Sequence, residues 1–147
     1  MVTKEAYKFR QDLEIPCYQT DPSFRMKPAG FMDLAQELAQ YAANVLGFGY
    51  DTLHIHHVAW VLSRMHIHFD GFPLWRDPVS LYTWHKGPDG LFFLRDFFLD
   101  NAAGEHLVRC TSSWVMDADG NAKGVVDNFN SDKGLVALKG MKKLPMW

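Results

Sequence analysis

Asp33 and Glu37 stand four residues apart in the segment GFMDLAQELAQYAANVLGFG, so both carboxylates fall on one side of a helix if that segment is helical. Two acids so placed suit activation of water or direct attack on a carbonyl carbon. They suit equally a solvated helix face, where Asp33 gains from the positive end of the helix dipole. Arg64 follows Ser63 inside the hydrophobic run WVLSRMHIHF, and Arg95 precedes Asp96 between the apolar triplets FFL and FFL. A guanidinium in such surroundings must reach the surface or find an anion, because an unpaired buried charge is costly. Its planar fork matches a phosphate or a carboxylate, and an internal salt bridge would serve the same need. On strict strand alternation Arg64 shares a face with Trp60 and Leu62.

The other polar groupings carry less chemistry. His66 and His68 would share one strand face and could begin a metal site, but no further ligand follows at a suitable spacing. They are read as an exposed strand face, and no metal is expected. Asp117, Asp119 and Asn121 open like a calcium loop, yet Ala122 and Asn128 stand where that loop needs Gly and Glu. The chain has no GxGxxG, P-loop or GxSxG segment, so nucleotide binding and serine-hydrolase chemistry have no support, and no cofactor is expected.

These residues need elements to hold them. Residues Tyr7 to Ile15 alternate apolar and charged side chains, which predicts a half-buried strand. Pro28 suits the first turn of a helix, and the spacing of Phe31, Leu34, Ala35, Leu38, Ala39, Ala42, Val45 and Leu46 predicts that helix over 29–46. Gly47 would end it in a left-handed conformation. Its opposite side, with Asp33, Gln36, Glu37, Gln40 and Asn44, must meet water, a partner or a site. A helix of that length spans roughly 27 Å, enough to run along a small sheet. Strands are expected at about 58–70, 78–87, 91–100 and 105–117, the last two joined by a short turn at Asn101 to Gly104. A strand, a helix and four successive antiparallel strands make an α+β domain.

The 147 residues are enough for one domain, which at this size buries roughly 70% of its unfolded surface. With 48% hydrophobic residues and 11 Phe, there is ample material for a core, and the aromatic excess favours strands. A net charge of −2 with scattered basic residues excludes the concentrated positive field that nucleic acid requires. Cys17 and Cys110 match neither a disulfide framework nor a CxxC metal pattern. No segment reads as a signal peptide or membrane span, so the expectation is a cytoplasmic protein without a transit peptide. From residue 119 periodicity is lost, and 119–147 reads as a linker-like tail with one short helix near 131–138.

Taken in order, Lys27-Pro28, the helix GFMDLAQELAQYAANVLGFG, the segment WVLSRMHIHFDGFPLWRDPVSLYTW, the hairpin LRDFFLDNAAGE and the strand TSSWVMD resemble the acyl-acyl-carrier-protein thioesterase family. In that family a Trp, a Ser-Arg pair, a Phe-Pro and Trp-Arg loop and a second Trp recur in this order. The resemblance implies a hotdog fold, a long central helix wrapped by an antiparallel sheet of five to six strands, as a single domain over 1–118. It also implies two such repeats in one polypeptide and hydrolysis of a fatty acyl thioester carried by acyl carrier protein. Family catalysis rests mainly on the second repeat, through an Asp-x-Asn-x-His-x-x-Asn segment and a later Cys or Glu. This chain has no Asn-x-His, so no catalytic residue is carried over.

By resemblance the chain is the N-terminal, acyl-binding half, leading towards a second repeat. Met32, Trp60, Leu62, Met65 and Trp84 become candidates for lining an acyl pocket, or are plain core. Arg64 is a candidate for a pantetheine phosphate or an acidic carrier, and Lys133, Lys139, Lys142 and Lys143 could meet that carrier or simply be solvated. Some hotdog thioesterases place an acid on the central helix, which keeps Glu37 and Asp33 as alternative catalytic groups. Two other readings stand beside the first: a non-catalytic acyl-binding or dimerisation module, and a stand-alone homodimeric acyl thioesterase. A lone hotdog presents a sheet edge and a polar helix face, so each version expects a second repeat or a dimer partner.

Overall fold

The computed structural model, which describes residues 2–5, 8–89 and 92–118, has a strand where the alternation from Tyr7 to Ile15 predicts one and adds a shorter strand before it. Strand β1 (Val2–Glu5) pairs antiparallel with β2 (Lys8–Glu14), and Phe9 of β2 is buried in the core. Helix α1 (Pro28–Leu46) begins with proline at its first position, where the missing N–H costs no hydrogen bond. It ends at Gly47, whose N–H reaches the carbonyls of Ala43 and Asn44 and whose φ of 89° turns the chain so that the Phe48 N–H donates to the Ala43 carbonyl at 3.0 Å. A short connector, α2 (Tyr50–Leu53) with a 3₁₀ turn at His54–His56, leads into β3 (Val58–Phe69). Then come β4 (Pro78–Asp89), β5 (Phe92–Asn101) and β6 (His106–Ala118). The tail expected over 119–147, with its short helix, lies outside the described residues.

The six strands form one antiparallel sheet in the order β1-β2-β4-β5-β6-β3. Leu81 of β4, Phe97 and Leu99 of β5 and Val108 and Cys110 of β6 lie side by side in register on one face. All five are fully buried. Helix α1 lies across that face and buries Phe31, Ala35, Leu38, Ala39, Ala42 and Leu46, so the architecture is the α+β hotdog arrangement. Burying Phe31 and Leu38 contributes roughly 1.5–3 kcal/mol each, while the alanines let the helix axis come close to the sheet.

Bulges decide which face each side chain takes. In β3, Leu62 pairs with Trp114 and Arg64 with Ser113, leaving Ser63 as an extra residue. The alternation therefore shifts by one. Trp60, Leu62 and then Met65 face the helix, and Arg64 turns to the outer face. This corrects the unbroken alternation that put Arg64 with Trp60 and Leu62. In β4, His85 pairs with Arg95 and Gly87 with Leu94, so Lys86 is the extra residue, and Gly87 takes a φ of 91°.

Gly30 fixes where α1 starts against the chain before it. A Cβ there would stand 2.7 Å from the carbonyl oxygen of Gln19, whose own N–H and C=O tie this turn to Pro16 and Lys27. Replacing Gly30 by Ala should destabilise the fold by about 1–3 kcal/mol although alanine favours helix, because the clash is with backbone. Urea denaturation followed by circular dichroism would show this as a lowered midpoint; an unchanged or raised midpoint would mean that the helix start shifts freely.

Candidate acyl-binding cleft

The polar side of α1 does not simply face solvent. Asp33, Gln36, Glu37 and Gln40 form one wall of a cleft of about 690 Å³. The other walls come from one end of the sheet and from the connector: Phe48, Tyr50 and Leu53, the start of β3 at Val58 to Trp60, His85 of β4, Phe93 to Arg95 of β5 and Trp114 of β6. The Trp60 indole N–H donates to the carbonyl of Phe48 at 2.8 Å, and Trp60 meets Phe93 edge to face with ring centroids 5.0 Å apart. Trp114 donates its indole N–H to the Ser112 hydroxyl at 2.9 Å. Its apolar faces stay available while its polar atom is satisfied.

Two titratable groups at the buried side of this cleft are shifted by their surroundings. Burial first, and then the positive charge of Arg95, push His85 down to about 3, so it is neutral at ordinary pH. Burial alone lowers Arg95 to about 10, and it stays a cation at neutral pH. Its Nη1 donates to the Thr83 hydroxyl at 2.9 Å. The next residue, Asp96, faces the opposite side of the sheet and lies 3.3 Å from Lys86 Nζ. Burial raises its carboxyl above the usual range, against the opposing pull of Thr111 and Lys86.

Of the residues singled out from sequence, Asp33, Glu37, Trp60 and Arg95 line the cleft, and both acids are exposed. Leu62 and Met65 face the helix beside Trp60 but do not reach the cleft, and Met32 is 37% exposed elsewhere on α1. Arg64 is exposed on the outer face. Trp84 also lies on the outer face, fully buried against Phe98 and beneath Lys8 Nζ, 5.0 Å from its ring. Its neighbours Thr83 and His85 are the ones that point towards the helix. His68 lies 2.9 Å from Asp70, which also holds Arg109 at 3.0 Å. Among the described residues no three His, Cys, Asp or Glu groups come together as a metal site. Sequence reasoning passed over Phe48, Phe93, Trp114 and His85; the only signal was their aromatic character, because their convergence depends on strand register.

A helix laid along a six-stranded antiparallel sheet, with a cleft between its polar face and the sheet end, defines a hotdog domain. Residues 6–127 match the family described as acyl-ACP thioesterase N-terminal domain, and the chain belongs to that family. It is similar to the chloroplastic oleoyl-acyl carrier protein thioesterase of Coriandrum sativum, at 29% identity over 78% of this chain and 33% of that relative. It is 33% identical to the chloroplastic dodecanoyl-[acyl-carrier-protein] hydrolase of Cinnamomum camphora over 74% of this chain and 30% of that one. The chain thus spans about a third of the length of these curated relatives. Among solved structures, the 12:0-ACP thioesterase of Umbellularia californica shares the fold with a TM-score of 0.76 and 23% identity, over 99% of this chain and 62% of that one. The DHNA-CoA thioesterase of Staphylococcus aureus also has a TM-score of 0.76, at 13% identity over 92% of this chain and 95% of that one.

Neutral, buried His85 makes a prediction. Between its unfolded value near 6.5 and about 3, the unfolded chain binds a proton that the folded protein refuses, so this group lowers stability as pH falls through that window. The loss should reach about 2 kcal/mol at pH 5 relative to pH 8. The urea midpoint of His85→Gln should fall less between pH 8 and pH 5 than that of the wild type. Parallel pH profiles for the two proteins would show that His85 is protonated in the fold.

Proposed function

We propose that this chain is the acyl-holding N-terminal half of an acyl-acyl-carrier-protein thioesterase, an enzyme in which water cleaves a fatty acyl thioester to a carboxylic acid and the carrier's thiol. The observation that carries this reading is the family match over residues 6–127. The cleft agrees with it: Phe48, Trp60, Phe93 and Trp114 offer aromatic and apolar surface for an alkyl chain. Leu62 and Met65 support Trp60 from the same face of β3. In this reading the hotdog domain ends near residue 118, the following residues link it to a second repeat, and that repeat supplies the base and the groups that polarise the carbonyl. The partners are acyl carrier protein with its fatty acyl thioester and the second repeat, and the activity belongs to fatty acid biosynthesis.

Glu37 and Asp33 on the cleft wall favour a second reading, a homodimeric hydrolase in which Glu37 activates water. Both cysteines are free thiols, which fits a reducing compartment such as the cytoplasm; the plant relatives are chloroplastic by name. Among the described residues no helix is long and apolar enough to cross a membrane.

Thiol release from a panel of acyl-acyl-carrier-protein thioesters, with this chain alone at high concentration, tests the reading beside an acyl-binding measurement. Acyl binding without hydrolysis above buffer is the expected outcome, and Trp60→Ala should weaken that binding by about tenfold, or about 1.4 kcal/mol. Turnover abolished by Glu37→Gln would establish the second reading instead. Neither binding nor turnover would overturn both.

A further inference from the structure

Arg95 is 6% exposed and lines the cleft, yet it has almost nothing to bond to. A guanidinium carries five N–H donors. One of them reaches the Thr83 hydroxyl, which is itself tied to the carbonyl of Asp96 at 3.1 Å. Among the described residues no carboxylate forms an ion pair with Arg95. Its neighbours in register on the same face are His85, which is neutral, and Ser112, whose hydroxyl donates to the Arg95 carbonyl at 2.8 Å rather than accepting from the guanidinium. The acids of the cleft, Asp33 and Glu37, are exposed on α1 and leave its charge uncompensated.

The contrast with the opposite face is direct. There the nearly buried Lys86 meets Asp96 at 3.3 Å, as a cation removed from water requires. The charge of Arg95 is instead held bare beside a cavity, and Phe48, Trp60, Phe93 and Trp114 line that same cavity. A small inorganic anion would leave this aromatic surface unused, and a plain alkyl chain would leave the guanidinium unused. An amphiphile with an apolar tail and an anionic head satisfies both, and a planar carboxylate matches the planar guanidinium with two parallel hydrogen bonds.

We propose that the cleft is a site for a free fatty acid, with Arg95 receiving the carboxylate and the aromatic residues receiving the chain. This rests on the acyl-holding reading above and deepens it. Hydrolysis turns an uncharged thioester into a carboxylate, so Arg95 distinguishes product from substrate and retains the product in the domain that held the acyl chain.

Tryptophan fluorescence of this chain titrated at pH 8 with decanoate and, separately, with 1-decanol tests the inference. Decanoate should bind about tenfold more tightly than the alcohol. Arg95→Met should bring the two within about twofold, and Arg95→Lys should keep part of the preference. Equal binding of acid and alcohol by the wild type would overturn the role of Arg95 while leaving the acyl-holding cleft standing. A preference for decanoate that survives in Arg95→Met would likewise overturn it. Binding of neither ligand would remove the acyl-holding reading and the inference together. The wild-type comparison of acid with alcohol decides the matter even if the Met variant fails to fold.

Discussion

Helix α1 must lie close against a sheet that offers it one continuous apolar face, and every feature of the cleft depends on that contact. Ala35, Ala39, Ala42 and Ala43 give the helix a shallow surface, with Phe31, Leu38 and Leu46 reaching past them. On the sheet side the registered set Leu81, Phe97, Leu99, Val108 and Cys110 is buried beneath it. Close packing of this kind fixes the rotation of the helix about its own axis. Once that rotation is set, the polar stripe from Asp33 to Gln40 has to point along the sheet towards its Trp60 end. The cleft is thus the space left between a helix that is apolar on one side only and a sheet that extends past it.

Bulges do the second part of the work. Without the extra Ser63, β3 would carry Arg64 on the face of Trp60 and Leu62, and Met65 would turn away. Without the extra Lys86, the alternation of β4 would run straight through His85 and Gly87. Each bulge reverses inside and outside for everything beyond it, so a long strand can serve the core at one end and a polar surface at the other. Arg95 and Asp96 show the same economy without a bulge. Adjacent residues point to opposite faces, so one charge enters the cleft and the other meets Lys86 across the sheet.

The burial of charge on both faces sets the chemistry. On the outer face Asp96 and Lys86 compensate each other, and Lys8 covers the ring of Trp84. On the helix face His85 escapes the cost by remaining neutral, which leaves Arg95 as a cation whose only side-chain acceptor among the described residues is a hydroxyl. An exposed acid on a helix is commonplace. A buried, uncompensated guanidinium against aromatic walls is not, and it gives the cleft a polarity that its acids alone would not.

The amino-acid sequence by itself determined the helix, its ends at Pro28 and Gly47, the four long strands and the family, because these rest on local signals: periodicity, the fixed φ of proline, the left-handed tolerance of glycine and the order of short motifs. It also marked Asp33, Glu37, Trp60 and Arg95, which the fold brings to one cleft. It did not reveal β1, since four residues, VTKE, are too short a run to carry a strand signal of their own. Nor did it separate Trp84 from Trp60 or free Arg64 from its expected face. Arg64 turns outward because of the one-residue bulge at Ser63, which pairing across strands decides, and Trp84 because Leu81, Thr83 and His85 take the helix face of β4. The convergence of Phe48, His85, Phe93, Arg95 and Trp114 was decided by tertiary structure alone, because residues dozens of positions apart meet only when the strands pair in register and the helix packs on them.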